Sequence, residues 1–406
     1  MSLPVSPLAP ERLPDLPPIA GVRFASAETG MRYKNRKDLL LAAFDPGTTV
    51  AGVFTQNVVC GHPVTWCRQI LPGGRARALV VNAGNANVFR GAEGDRAVRT
   101  EAEAAAFALG CAPEEVFVAS TGVIGMKLDA ELIARHLPEL AGRLDPAAMA
   151  DAARTIVTTD TFPKAAVRSV EIDGRTVTVA GICKGSGMIA PNMATMLAFL
   201  FTDAAVAPAT LQAMLQAAAD RSFNCVTVDS DTSTSDTLLC FATGKAGNPP
   251  IEADHGPFAD ALAELCTDLA IQVAKDGEGA QKLITVTVEG AADDRSARRL
   301  AMAVADSPLV KTAVAGEDAN WGRVAMALGK VGLPIELGAL TIAFGGIAVA
   351  KDGGAVADLD EAPVERHLKG RDVRIDVSVG SGPGRARVWT CDLTHGYIDI
   401  NGSYRS

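Results

Sequence analysis

Aromatic side chains are scarce in this chain, at 5% of 406 residues. Alanine, valine and glycine abound instead, so sheets and helices should pack closely around small groups. No apolar stretch approaches the ~18 residues that suggest a membrane span. A dense Lys/Arg run is also missing, and the net charge is −9. Neutralising phosphates needs a basic patch, so nucleic acid is not an expected partner. Eight cysteines and five histidines are dispersed, with no C-x-x-C pair and no metal-ligand spacing. That pattern reads as reduced thiols in a cytoplasmic protein, mostly small core residues, with no metal site. The opening residues, MSLPVSPLAPERLPDLPPIAG, are proline-rich, with neither a basic n-region nor an apolar h-region, and do not read as a signal peptide.

Hydrophobic residues make up 48% of the chain and charged ones 21%, the balance of a soluble protein with a large core. The length allows two or three domains. After the proline-rich arm, taken as residues 1–20, strand-like runs alternate with alanine-rich helical ones. ARALVVNAGNAN and VFVASTGVIG read as buried strands ending in small-residue turns. SVEIDGRTVTVAGICKG reads as a hairpin around Asp173-Gly174, a pair suited to a tight two-residue turn. CVTVDSDTSTSDTLLCFATG suggests two strands around a polar loop, and Phe258 to Lys275 an amphipathic helix. Late strands are expected in LITVTVEG, VRIDVSVG and ARVWTCDL. Hairpins with helices between them indicate an α/β fold of mixed, layered sheets and helices rather than an all-parallel sheet.

One segment imitates a dinucleotide loop. Gly185 to Ala190, GSGMIA, fits G-x-G-x-x-A after a strand. Such a loop should open a helix whose N-terminus holds the pyrophosphate. Here Pro191 and Asn192 follow, and then the six apolar residues Met196 to Phe201, a strand's length with no polar helical face. A dinucleotide-binding oxidoreductase is therefore the weaker reading. Asp229 to Ser235 imitates a calcium loop but has Thr234 where glycine is expected and Cys240 where a bidentate Glu is needed. Between these decoys lies Ala194-Thr195. A threonine hydroxyl is a weak nucleophile without a base, and chain cleavage before it would supply one in its own α-amine. That amine titrates near ~7.7–8.0, and the nearby Lys184 would lower it further by disfavouring a second positive charge. On residues alone, the plainer alternative for Met-Ala-Thr-Met is a strand in the core.

KGSGMIAPNMATMLAFLFTDA is very similar to the self-cleavage segment of the ornithine acetyltransferases, the bifunctional glutamate N-acetyltransferase family of arginine biosynthesis. STGVIG, TTDTFPK, VDSDTSTSDT, AKDGEGAQK, GEDANWGR and the terminal YIDINGSYRS also resemble that family's segments, in its order. The resemblance implies a two-domain protein cleaved between Ala194 and Thr195 into an α chain, 21–194 after the arm, and a β chain, 195–406. Thr195 matches the nucleophile, and Thr121 and Gly122 match the pair that stabilises the oxyanion. A hydroxyl and a backbone N–H at a strand end are suitable preorganised donors for that purpose. Thr161, Lys184, Thr195, Glu278, Asn401 and Ser406 match substrate-contacting positions.

The implied reaction moves an acetyl group from N2-acetylornithine to glutamate through acetyl-Thr195. It needs no metal or organic cofactor, and acetyl-CoA is a second donor in some members. The implied assembly is two α and two β chains. An amidohydrolase, or an acyltransferase for other N-acyl amino acids, would use the same residues and stays open. Departures from the family's pattern are Ser230 in place of glycine, Ser235 in place of Asn, Ala319 in place of Pro, and Gly402-Ser403 where a larger or acidic residue is expected. They bear on pocket geometry, not on a catalytic group.

Overall fold

A computed structural model describes residues 4–190, 196–253 and 256–402 of the chain. The chain divides into two compact units. One comprises Pro10–Asn224 and Asp231–Ala270; the other comprises Met1–Ala9, Cys225–Ser230 and Ile271–Ser406.

Among the described residues the first unit holds nine strands: β1 (Val22–Ala27), β2 (Leu39–Phe44), β3 (Thr49–Phe54), β4 (Ala78–Asn85), β5 (Val116–Val123), β6 (Lys164–Ile172), β7 (Arg175–Lys184), β8 (Leu197–Thr202) and β9 (Thr237–Ala242). They form a four-stranded sheet, β1-β2-β4-β5, and a five-stranded sheet, β3-β9-β8-β7-β6. Within them β4 runs parallel to β5 and β8 parallel to β9. The other neighbours are antiparallel.

The few aromatics are concentrated between these two sheets. Phe44 stacks on Phe241 with ring centroids 4.2 Å apart, and Phe24 meets Phe201 edge-on at 5.0 Å. Such pairs add about 0.5–1.5 kcal/mol each beyond the area they bury. The outer face of the four-stranded sheet carries Leu39, Leu41, Val80 and Val118 against the helices Gly91–Leu109 and Ala130–Ala141. On the five-stranded sheet, Gly181 lets the helix Gly256–Lys275 approach: a Cβ there would lie 2.9 Å from Leu269 and 3.0 Å from Leu265. The result is four layers, helix, sheet, sheet, helix, consistent with the mixed α/β reading.

The Asp173-Gly174 turn joins β6 to β7 with Ile172 opposite Arg175, and both turn residues have positive φ, 48° and 72°. That is the mirror-image turn whose twist suits a hairpin. The apolar run after Thr195 is a strand, β8, buried at every position.

Among the described residues the second unit has six strands: β10 (Leu283–Ala291), β11 (Thr341–Phe344), β12 (Ile347–Lys351), β13 (Gly354–Ala355), β14 (Asp372–Ser378) and β15 (Gly384–Cys391). Their order is β13-β12-β11-β14-β10-β15, so β10 lies between the two strands flanking the GSGPGR turn. The helix Asp294–Ala305 covers β10 and β15.

One expectation fails. Cys225 to Val228 does not form a strand; Phe223–Cys225 is a 3-10 turn, and Val226 makes only an isolated bridge to Trp389. Polar tethers explain it: Thr227 donates to Asp306 at 2.6 Å and its hydroxyl accepts from Ser230 N at 3.3 Å, bending the segment. Ser230 has φ 63°, a left-handed conformation that disfavours any side chain by roughly 1–2 kcal/mol. That accounts for the glycine expected at this position. Among the described residues no helix is long and apolar enough to cross a membrane.

Candidate active site

The strand β5 ends in Thr121-Gly122-Val123, paired in parallel with the end of β4. Gly122 has φ 133°, and a Cβ there would fall 2.2 Å from the carbonyl carbon of Gly84 and 2.6 Å from Asn85 N. No other residue fits, so the backbone at this strand end is fixed by a glycine against a glycine. Asparagines of NAGNAN hold the rest. Asn82 Nδ2 donates to Asn85 O at 2.9 Å, Asn85 Nδ2 to Lys127 O at 3.0 Å, and Asn87 Nδ2 to Gly94 O at 3.1 Å. These side chains tie the end of β4 to itself, to the loop before the helix Ala130–Ala141 and to the first turn of the helix Gly91–Leu109.

Lys184, the last residue of β7, is buried, and its Nζ lies 3.0 Å from Thr121 Oγ1. An ammonium only donates, so the Thr121 oxygen is the acceptor and its own O–H is turned to donate elsewhere. The pair thus presents a hydroxyl donor beside Gly122, polarised by a buried cation.

A second carboxyl-centred knot lies next to Lys184. Asp160 Oδ1 accepts from Lys164 Nζ at 2.6 Å and Gly185 N at 2.7 Å, while Oδ2 accepts from Thr158 N at 3.0 Å. The Asp160 and Lys164 side chains are both fully buried. Burial alone would raise the Asp160 carboxyl, but the Lys164 and Lys184 charges and these hydrogen bonds outweigh it and hold it well below the usual carboxylate range. Through Asp160 the TTDTFPK loop, which carries half-buried Thr161, is tied to the backbone directly after Lys184. Thr159 and Ser186 hydroxyls add a 2.7 Å contact across the same junction.

In the second unit the sequence DGEG presents Glu278 between two glycines with no room for side chains. A Cβ on Gly277 would lie 2.5 Å from Cys391 Sγ, and one on Gly279 2.5 Å from Tyr397 N. Glu278 is buried, and Asn401 Nδ2 donates to its Oε2 at 2.7 Å. Asn401 ends the short helix His395–Asn401, whose Tyr397 hydroxyl donates to Asp229 Oδ2 at 3.2 Å.

The structure therefore brings Thr121, Gly122 and Lys184 together in one unit, with the Thr161 loop tied to Lys184's neighbour, and joins Glu278 to Asn401 in the other. Ala194, Thr195 and Ser406 lie outside the described residues. After GSGMIA, where Met188 has φ 56°, the next described element is the strand β8. Sequence reading missed Asp160 as a hub, although an Asp four residues before a Lys within TTDTFPK was a signal. The asparagines of NAGNAN were read only as a turn.

The model of the ArgJ family matches residues 23–406. The chain belongs to the ArgJ family. The arginine biosynthesis bifunctional protein ArgJ of Gluconobacter oxydans (strain 621H) is 56% identical over 100% of this chain and 96% of its own length. The protein of the same name from Bradyrhizobium diazoefficiens is 55% identical, with both chains covered in full. Among solved structures, arginine biosynthesis bifunctional protein ArgJ from Bacillus halodurans is 42% identical, with a TM-score of 0.50, covering 52% of this chain and 100% of its own.

Proposed function

We propose that this ArgJ-family chain transfers the acetyl group of N2-acetylornithine to glutamate in arginine biosynthesis, after cutting itself between Ala194 and Thr195. The observation that carries the reading is the full-length likeness to proteins named arginine biosynthesis bifunctional protein ArgJ. The Lys184–Thr121–Gly122 geometry supports it, since it supplies donors of the kind an oxyanion requires.

The Thr195 hydroxyl adds to the Ala194 carbonyl and the Ala194–Thr195 C–N bond breaks, freeing the Thr195 α-amine and leaving an ester, which water hydrolyses to the Ala194 carboxylate and the Thr195 hydroxyl. In transfer that amine takes the hydroxyl proton as Thr195 Oγ adds to the acetyl carbonyl. Thr121 O–H and Gly122 N–H hold the oxyanion. The proton passes to the departing ornithine nitrogen, leaving acetyl-Thr195. The unprotonated glutamate amine then attacks the ester by the same steps in reverse, regenerating the hydroxyl. Glu278 accepts a substrate ammonium, and Asn401 orients it. Thr161, Lys184 and Ser406 complete the substrate contacts.

Cleavage would leave both chains in one sheet, because β7 and β8 pair from Lys184↔Leu197 to Val179↔Thr202 on either side of the break. An α2β2 assembly in the cytoplasm, needing no cofactor because acetyl-threonine carries the group, completes the proposal. Acetyl-CoA is the second donor to test.

A denaturing gel checks the first step: two fragments together accounting for the 42.0 kDa chain are expected, and one intact, inactive chain for Thr195→Ala. Glutamate-dependent acetyl transfer from acetylornithine, and in parallel from acetyl-CoA, checks the second. An uncleaved wild-type chain, normal transfer by Thr195→Ala, or acetyl release to water that glutamate does not divert would each overturn the proposal.

A further inference from the structure

Asp236 stands in the loop before β9 and is fully buried. Its Oδ1 accepts from Met196 N at 2.8 Å, while Oδ2 has no hydrogen-bond partner among the described residues. The Met196 carbonyl in turn accepts from Thr237 N at 3.1 Å. Both polar groups of the Met196 backbone are therefore held by two consecutive residues 40 positions along the chain. The lead-in is itself fixed: Thr55 N donates to Asp236 O at 3.1 Å, and Thr55 Oγ1 donates to Ser233 O at 2.6 Å.

The ladder between β8 and β9 begins at Leu197↔Thr237. One residue earlier, a side-chain carboxyl replaces the strand carbonyl that would continue it. Met196 N is bonded to the carbonyl carbon of Thr195, so this acceptor anchors the last atom before the predicted nucleophile. In the cleaved protein Met196 would be the second residue of a new chain. N-terminal residues fray unless tied down, and here the tie is a buried side chain rather than a sheet.

A buried carboxyl with an unpartnered oxygen costs desolvation that an apolar residue would avoid, so packing alone does not account for Asp236, whose other oxygen holds Met196 N. We propose that Asp236 is a positioning residue for the reaction proposed above, anchoring Met196 so that Thr195 keeps one geometry before and after chain cleavage. Burial drives the Asp236 carboxyl well above the usual range, and the Met196 amide and the Lys184 charge only partly oppose that. An amide at this position would keep the acceptor for Met196 N and lose the titration, which separates anchoring from acid–base chemistry.

The inference rests on the cleavage and transfer reading, and its test keeps the two apart. Wild type, Asp236→Asn and Asp236→Ala are compared for the rate of self-cleavage, for kcat and KM of acetyl transfer, and for thermal midpoint. Asn retains the acceptor and should stay within a few-fold of wild type in every rate. Ala leaves Met196 N–H without an acceptor, and misplacement on the 1 Å scale predicts about a hundredfold loss in cleavage and in kcat, with KM little changed. Should the Ala variant not fold, Asp236→Thr offers a shorter acceptor and should give intermediate rates.

Normal cleavage and kcat in a folded Ala variant would overturn the inference while leaving the transferase reading intact. An Asn variant as impaired as Ala would also overturn it, because the carboxyl would then be acting as an acid or base. A wild-type chain that neither cleaves nor transfers would refute the underlying reading instead.

Discussion

Two carboxyl groups in the same compact unit are wholly withdrawn from water, and they meet that environment in opposite ways. Asp160 joins TTDTFPK to the end of β7 and accepts hydrogen bonds from one ammonium and two backbone amides. Glu101 lies on the inner face of the helix Gly91–Leu109 among alanines, and neither of its oxygens has a partner among the described residues. Burial pushes the Glu101 carboxyl up to about 8, whereas the cations around Asp160 overcome burial and keep it ionised. A buried charge persists only where donors surround it; otherwise the group takes up a proton. The region next to Lys184 is built to hold charge and the helix interior is not, which supports the proposed siting of the chemistry near Asp160 rather than near Glu101.

Replacing each acid by its amide should break this symmetry. Asp160→Asn removes the negative charge but leaves the Lys164 ammonium fully buried, with the Lys184 cation acting on the same site. Losing one partner of a buried pair typically destabilises by about 3–5 kcal/mol. Denaturant titration should be done on the uncleaved Thr195→Ala chain, so that unfolding concerns a single polypeptide. A loss below about 1 kcal/mol would mean that the Asp160–Lys164 pair does not hold the loop.

Glu101→Gln should do the reverse. The folded chain binds the Glu101 proton up to about pH 8, while the unfolded chain releases it near 4.5. Over that window the native state holds more protons, so stability falls as pH rises. For wild type this one group should remove roughly 2–3 kcal/mol between pH 5 and pH 7. The Gln variant, neutral throughout, should lack that slope, and the difference between the two titrations isolates it. Parallel slopes would show that Glu101 is not held neutral in the fold.

Local chemistry was legible in the sequence where a short window contains the whole cause. The Asp173-Gly174 hairpin and the apolar β8 strand depend on neighbouring residues only; the Thr195 assignment rests on a motif that lies outside the described residues. Lys184 was matched to substrate, but its contact with Thr121 joins residues 63 positions apart, and no window shows it. Asp160 meets Gly185 and Asp236 meets Met196 in the same long-range way. Glu101 is hidden more thoroughly, because TEAEAAAFAL reads as an ordinary helix whose Glu residues face water. The missing strand at Cys225 to Val228 has the opposite cause: its β-branched pattern is real, but side-chain tethers to Asp306 and Ser230 override it.

Glu278 represents a third arrangement, a buried carboxyl held by an exposed partner. Asn401 donates to it from the end of a seven-residue helix, so the contact orients the carboxylate rather than stabilising a core. Asn401→Ala should therefore have the smallest effect of the three. If Glu278 receives a substrate ammonium, losing its orientation weakens ground state and transition state alike, which appears in KM and not in kcat. A rise of about three- to tenfold in KM is expected, less than a buried charge-assisted hydrogen bond would give. Steady-state transfer assays with donor and acceptor varied in turn show which substrate depends on it. A fall in kcat at unchanged KM would move Glu278 from binding into the chemical step, and the contrast between a charge that is held for catalysis and one that is held for recognition would have to be redrawn.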